Sequence, residues 1–313
     1  MIYPFGCNSS QKTAVAQAFE HQISVIQGPP GTGKTQTILN IIANIIRQGK
    51  TVIVVSNNNS ATANVLEKLE KYGIGFIAAP LGNKDNKTAF IANQPAIPDE
   101  CRMWGLEIRA SFQIEQRMRN TSQHLDKVYA LQNERALLSQ EQQAIGLEWK
   151  HFCQDNDVDE NTVSKHYINS KRIISIWLNC QTRADGEYTE PTHWIGKWIE
   201  RIKWWWLQWT CTNRMHVQNK IDKNDLTALI LELQTLYYLN RIREISQRLE
   251  VIDQEMASHD TKALAKNLSE DSMLLLKSSL HDHYKEQNRM CFADTQDMNR
   301  QGAMMKKEYP VIL

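Results

Sequence analysis

The sequence has no surplus of either charge, no CxxC pair, no apolar run long enough to cross a bilayer, and almost no proline through its middle. Each absence excludes something. Lys and Arg number 36 against 35 Asp and Glu, so no global field draws the chain to nucleic acid or to an anionic surface, and only a local one is left open. Without about 18 consecutive apolar residues there is no spanning helix. The N-terminus, MIYPFGCNSSQK, lacks the charged-then-apolar order of a signal peptide. Six cysteines stand far apart at 7, 101, 153, 180, 211 and 291. That scatter fits reduced thiols in a cytoplasm and not a disulfide framework or a zinc site, so a cytoplasmic location is expected. Charged residues at 23% and hydrophobic ones at 42% are ordinary for a globular chain, which excludes disorder of the whole. A length of 313 residues admits one large domain or two ordinary ones.

Proline divides what is there. Between Asp99 and Tyr309 the only proline is Pro191. A stretch so poor in helix breakers is mostly helical. Residues 1–90, in contrast, hold 8 of the 13 glycines and none of the 9 tryptophans, with 8 Lys and Arg against 4 Asp and Glu. The expectation is a compact α/β segment followed by a long helical one.

The α/β segment alternates helix and strand. Ser10–Phe19 forms a helix opened by Ser9 or Ser10 as N-cap. Ile23–Gln27 is a short apolar run ending at glycine, expected as a buried strand. Lys34–Gln48 repeats Ile38, Ile41, Ile42, Ile45 and Ile46 at helical spacing. Thr51–Ser56 is β-branched almost throughout, as for a strand covered on both faces. Ser60–Tyr72 is a further helix with Val65, Leu66 and Leu69 on one side, and Gly75–Ala79 is a candidate third strand. This order implies right-handed crossovers and a parallel sheet.

The strongest motif is Gly28-Pro29-Pro30-Gly31-Thr32-Gly33-Lys34-Thr35, followed by Gln36. It leaves an expected strand and opens an expected helix, the context a phosphate-cradling Walker A loop needs. Glycines let backbone N–H groups turn toward a phosphate where side chains would obstruct, and the helix start adds partial positive charge. Lys34 would bridge the β- and γ-phosphates of ATP, and Thr35 would give its hydroxyl to Mg²⁺. Upstream, the Gln11 amide has the donor and acceptor needed to read an adenine edge, although an exposed helical Gln is equally consistent with the residue alone. After the second strand, Ser56, Asn57, Asn58, Asn59 and Asn64 suit phosphate and sugar contacts at a strand end. They suit an Asx-type turn capping the next helix as well.

Gln11, the loop at 28–35 and VIVVSNNNSATANVLEKL at 52–69, taken in register, resemble the first RecA-like domain of superfamily 1 helicases. The likeness is to the branch with an AAA-type ATPase domain that includes the nonsense-mediated-decay and DNA-replication helicases. The resemblance is strongest over residues 2–90. It implies adenine reading by Gln11, ATP and Mg²⁺ in the loop at 28–36, and nucleic-acid backbone contacts from Ser56, Asn57, Asn58, Asn59 and Asn64. MKKEYPVIL at the end resembles the strand that resumes the family's core after an insertion. The expected fold is therefore an incomplete RecA-like P-loop NTPase sheet over residues 1–92, a long, mostly α-helical, coiled-coil-like insertion over 93–302, and a returning strand at 303–313.

A P-loop motor also needs a carboxylate on a strand to hold Mg²⁺. Asp99-Glu100 and Asp159-Glu160 both lack a preceding β-branched apolar run. The chain is thus expected to be the front part of a helicase that binds ATP without efficient hydrolysis. Two other readings stand beside it. One is a P-loop and coiled-coil ATPase of the chromosome-structuring type. The other is a non-catalytic helical interaction module.

In the helical segment, Leu138, Ile145, Trp149 and Phe152 recur loosely. Leu226, Leu229, Leu233, Leu236, Leu239, Ile242, Ile245, Leu249, Ile252 and Met256 recur more regularly. The pair suggests an antiparallel coiled-coil hairpin, or else an ordinary helical subdomain. Its far end, about 155–222, carries Ile195, Trp198, Ile202, Trp205 and Trp209 on one helical face. These indoles fit a tip core, a docking surface for a protein partner, or a membrane or base-stacking face. His281-Asp282-His283 is too few ligands for a metal site and suits a solvated helix face.

Overall fold

The computed structural model describes residues 1–156, 158, 168–185, 193–215, 217, 226–286 and 289–313. Much of the expected tip, including Asp159-Glu160 and Pro191, lies outside them. The described chain forms two units, one of Met1–Tyr129 with Asp260–Leu313 and one of Ala130–His259.

The first unit is organised by three short parallel strands, β1 (Val52–Ile53), β2 (Ala78–Ala79) and β3 (Val311–Ile312), in the order β1-β3-β2. The last strand in sequence is the central one. Val52 and Val54 donate to Pro310 O and Ile312 O, while Leu313 N donates to Ala79 O and Leu81 N to Leu313 O. The helices are α1 (Ser9–Glu20), α2 (Lys34–Arg47), α3 (Asn59–Lys71) and α4 (Lys84–Ala92), then α5 (Ile108–Asn156), which runs into the second unit. The second unit continues with α6 (Ser170–Ala184), α7 (Trp194–Asn213) and α8 (Thr227–Ala257). The chain returns with α9 (Thr261–Tyr284), α10 (Thr295–Arg300) and α11 (Gly302–Glu308).

Local sequence explains most element ends. Asn8, not Ser9 or Ser10, caps α1: its side chain accepts from Gln11 N, and the Gln11 side chain accepts from Asn8 N in return. This reciprocal box satisfies two helix-start donors that a serine one residue later would leave open. Asn58 caps α3 in the same way through Ser60 N. Of the expected third strand, Gly75–Ile77 is a 3-10 turn, and only Ala78–Ala79 joins the sheet.

Two expectations fail. Thr51–Ser56 joins the sheet only at Val52–Ile53 and is not covered on both faces, since Ile53 is 61% and Val55 85% exposed. Ile23–Gln27 is not a strand and is not buried. Ile23 is 86% and Val25 79% exposed, and no regular structure runs between α1 and α2. No strand among the described residues lies beside this run to take its backbone hydrogen bonds. A run without a ladder partner has no sheet face to bury its side chains on.

The core of this unit joins Leu39, Ile42 and Ile46 of α2, Val65 and Leu69 of α3, Ile114 and Met118 of α5, and Leu275, Leu276 and Leu280 of α9. Truncating one such aliphatic to Ala costs about 2–5 kcal/mol. The N-terminal strip Ile2–Phe5 is held by two amides one turn apart on α2. Asn44 exchanges bonds with Ile2 N and O, and Asn40 accepts from Phe5 N and donates to Gly6 O. Beside β2, the buried Arg289 guanidinium lies over the Tyr309 ring at 4.4 Å and donates to Phe76 O, Pro95 O and Glu308 O.

In the second unit, α6 packs on α8 around Ile173, Ile176, Cys180, Leu229, Leu233 and Leu236, joined by Leu207 and Cys211 of α7. α5 and α8 run antiparallel here. Glu134 bonds Arg248 and Glu141 bonds Arg241, so the partners fall in one helix as they rise in the other. Trp149 and Tyr238 meet between the same two helices. The stripe expected on α7, Ile195, Trp198, Ile202, Trp205 and Trp209, faces solvent throughout, as do Trp194 and Trp206, so it is not a tip core; Trp204, on the other side of the helix, packs against the core.

Candidate nucleotide-binding loop

The loop expected to cradle phosphate is a turn closed onto the start of α2. Gly31 and Gly33 sit at φ +85° and +81°, in the left-handed region that a Cβ disfavours by about 1–2 kcal/mol. A Cβ on Gly33 would collide with Gln11 Nε2, and one on Gly28 would come within 2.6 Å of Thr32 Oγ1. The glycines are therefore fixed by backbone shape and by close approach. Gly33 is the N-cap of α2, and no acidic residue stands in its first turn. The N–H groups of Lys34, Thr35 and Gln36 have no carbonyl within the helix to bond. They add to the helix's partial positive end at the mouth of the loop.

Lys34 turns back into that mouth. Its ammonium donates to Gly28 O at 2.5 Å and to Pro29 O at 3.0 Å. The loop thus holds a cation where a phosphate group would need one. The Thr35 side chain lies one residue further on, half-buried.

Gln11 is where the sequence reading needs refinement. It is 7% exposed. Its Oε1 accepts from Asn8 N at 3.0 Å, and its Nε2 donates to Thr32 O at 3.2 Å and to Gly33 O at 3.4 Å, with Gln36 Oε1 also at 3.4 Å. Gln36 in turn donates to Phe5 O. The amide expected to face an adenine is occupied as a brace between α1 and the underside of the loop. Gln36 ties that brace to the N-terminal strip. Asn8, Asn40 and Asn44, which complete this scaffold, were not singled out from sequence. The N-x-x-Q spacing at 8–11 and the paired asparagines four apart on α2 were the available signals.

Ser56, Asn57, Asn58, Asn59 and Asn64 lie exposed from the end of β1 into α3. Asn58 is committed to its capping bond, and Ser56 Oγ accepts from Asn58 N at 3.2 Å. Asn59 borders a cleft of about 610 Å³ lined by α3, α4 and the edge of β2, from Phe76 before that strand to Pro80 after it.

The remaining candidates resolve simply. His281 Nδ1 lies 2.9 Å from Cys101 O and His283 Nε2 2.8 Å from Lys307 O. No cluster of three or more His, Cys, Asp or Glu suited to a metal occurs among the described residues. No disulfide links the six cysteines. Burial pushes the Cys7 thiol up to about 11, with Lys12 acting the other way. Among the described residues, no helix is long and apolar enough to cross a membrane.

Comparison with known proteins decides the family, because residues 6–309 match the AAA domain family. The chain belongs to the AAA domain family of superfamily 1 helicases. The match spans the helical segment as well as the loop. Among curated relatives, DNA polymerase alpha-associated DNA helicase A of Schizosaccharomyces pombe is 38% identical over 71 residues, 22% of this chain and 11% of that protein. The putative regulator of nonsense transcripts 1 of Takifugu rubripes is 43% identical over 71 residues, 22% of this chain and 6% of that one. DNA-binding protein SMUBP-2 of Mesocricetus auratus is 38% identical over 69 residues, 22% of this chain and 7% of its own. These alignments span about a tenth or less of the relatives' length. No solved structure matches.

Proposed function

We propose that this chain is the ATP-binding portion of a nucleic-acid-dependent ATPase, which in a complete protein couples ATP hydrolysis to movement along DNA or RNA. One observation carries the reading: the Lys34 ammonium is held in the mouth of a glycine loop at a helix N-terminus. On binding, the β- and γ-phosphates take over the ammonium from Gly28 O and Pro29 O, and the first-turn N–H groups of α2 bond the phosphate oxygens. The Thr35 hydroxyl would supply one ligand to Mg²⁺, and the ion would add charge neutralisation at the phosphates. Among the described residues none of β1, β2 or β3 carries a carboxylate to share a metal with Thr35, so slow turnover is the expectation for these residues alone. Ser56, Asn57, Asn59 and Asn64 are the proposed contacts to a nucleic-acid backbone. The relatives named as helicases and as DNA-binding proteins support that partner class, and a cytoplasmic location accords with the thiols.

The test is an equilibrium titration of wild type and Lys34→Ala with MgATP. At least a tenfold loss of affinity is expected. Equal affinity for the two proteins would remove the basis of the proposal.

A further inference from the structure

The helix α7 carries two opposed apolar faces, and only one is covered. Leu207 and Cys211 point into the core shared with α6 and α8. Across the helix, Trp194, Ile195, Trp198, Ile199, Ile202, Trp205, Trp206 and Trp209 are all exposed, with Trp194 at 74%, Trp198 at 62% and Trp205 at 63%. At about 100° per residue, these positions fill an arc of roughly 140°. Monomers rarely leave an apolar patch of that extent in water.

The order of the exposed residues says what covers them. About a centre between Arg201 and Ile202 four of the indoles are arranged symmetrically: Trp194 mirrors Trp209, and Trp198 mirrors Trp205. A two-fold interface requires that residue i meet residue j while j meets i. Two antiparallel copies of α7 meet that condition with indole on indole at four places. A groove of about 470 Å³ between α6 and α7, lined by Ser175, Asn179, Ile202, Lys203 and Trp206, lies beside the centre. Trp198 of a second copy is the indole that this register brings nearest to it.

The area is sufficient. The five exposed indoles leave, at about 200 Å² for a wholly exposed one, roughly 600 Å² in water on each copy. Two copies together offer about 1,200 Å², the lower range of a stable interface, before the isoleucines are added. We propose that the solvent-facing tryptophan stripe of α7 is a self-complementary surface through which two copies of this chain pair antiparallel. Lys197, Arg201 and Lys203 flank the stripe. Bringing two such flanks together repels, so the pairing strengthens as salt rises. Contact with an anionic lipid or a nucleic acid would instead weaken in salt.

The test uses the full chain. Sedimentation equilibrium at tens of micromolar is expected to give twice 36.2 kDa, with more dimer at higher salt. The Trp198→Glu, Trp205→Glu double variant is expected to raise the dissociation constant by roughly a hundredfold, as for hot-spot residues, with unchanged circular dichroism. A second measurement does not depend on how that variant folds. In a Cys291→Ser background, Ile202→Cys, at the two-fold centre, crosslinks to itself on mild oxidation, whereas Trp194→Cys does not. A monomer at every concentration, a dimer untouched by the double variant, or self-crosslinking by both cysteines overturns the proposal. So does a monomer that binds phosphatidylserine vesicles or oligo-dT more weakly as salt rises.

Discussion

Replacing Gln11 by Glu separates two roles for that side chain. The substitution keeps the oxygen that accepts from Asn8 N and the capping box with it. It replaces the Nε2 donor, which now serves Thr32 O and Gly33 O at 3.2 and 3.4 Å, with an oxygen facing two carbonyls. Bonds of that length contribute less than the usual net worth, so the lost donations amount to about 1–2 kcal/mol, and carboxylate–carbonyl repulsion at a nearly buried position brings the total to about 2–3 kcal/mol. If loop closure must precede phosphate binding, affinity falls roughly 30- to 150-fold. The loss is the same for ATP and GTP, because the brace acts on the loop and not on the base. It shrinks as pH falls, since a protonated Glu regains a donor. Titration with both nucleotides at two pH values checks this. A loss confined to ATP would restore adenine reading as the dominant role, and no loss with either nucleotide would dismiss the brace.

Asn8→Ala removes the α1 cap and should cost about 1 kcal/mol, read as a drop of a few degrees in melting temperature; no drop would mean that Ser9 can take over. Arg289→Met strands the buried Glu308 carboxylate, which pairs with Arg289 Nε at 3.6 Å, and three carbonyls, and is expected to destabilise by about 3–5 kcal/mol; a urea midpoint close to wild type would contradict the role given to that cation. Burial pushes Glu244 up, but hydrogen bonds from Ser170 and Arg241 outweigh it and hold the carboxyl below its ordinary value. Its stabilising contribution is therefore complete above the unfolded value and lost as pH falls through the folded one, so Glu244→Gln should flatten the acid limb of the stability profile without that loss at low pH. Val25→Ser should change stability by less than about 0.5 kcal/mol, the range for exposed sites, whereas a strand buried in the sheet would lose considerably more.

What could be read from sequence was whatever depends on neighbours in the chain. The glycine loop, α2 with its apolar spacing, and the parallel order of the strands need only local pattern, and the polar run at 56–64 announces its cap. Long-range partners were not readable. Ile23–Gln27 has the composition of a strand, but a strand exists only where another supplies its hydrogen bonds. The indoles of α7 have helical spacing on two opposed faces. Periodicity gives the faces, and only the packing of α6 and α8 decides which one is covered. Asn40 and Asn44 looked like ordinary polar residues in an isoleucine-rich helix until Ile2 and Phe5 came to lie against them.

The exposed run ahead of the loop changes which part of the molecule the loop depends on. With no ladder beneath residues 23–27, the sheet does not hold Gly28 in place from its N-terminal side. The loop hangs instead from α2, through the backbone of Gly33, and from α1, through Gln11 to Thr32 and Gly33. Gln11 is kept in position by Asn8, and Gln36 is tied to Phe5, whose own N–H is held by Asn40. Each link is a side-chain amide bonding backbone, worth about 1 kcal/mol alone. A chain of such links is more easily shifted than a strand. Anything that pulls on the Ile2–Phe5 strip therefore reaches the glycine loop through two glutamines before it reaches the sheet.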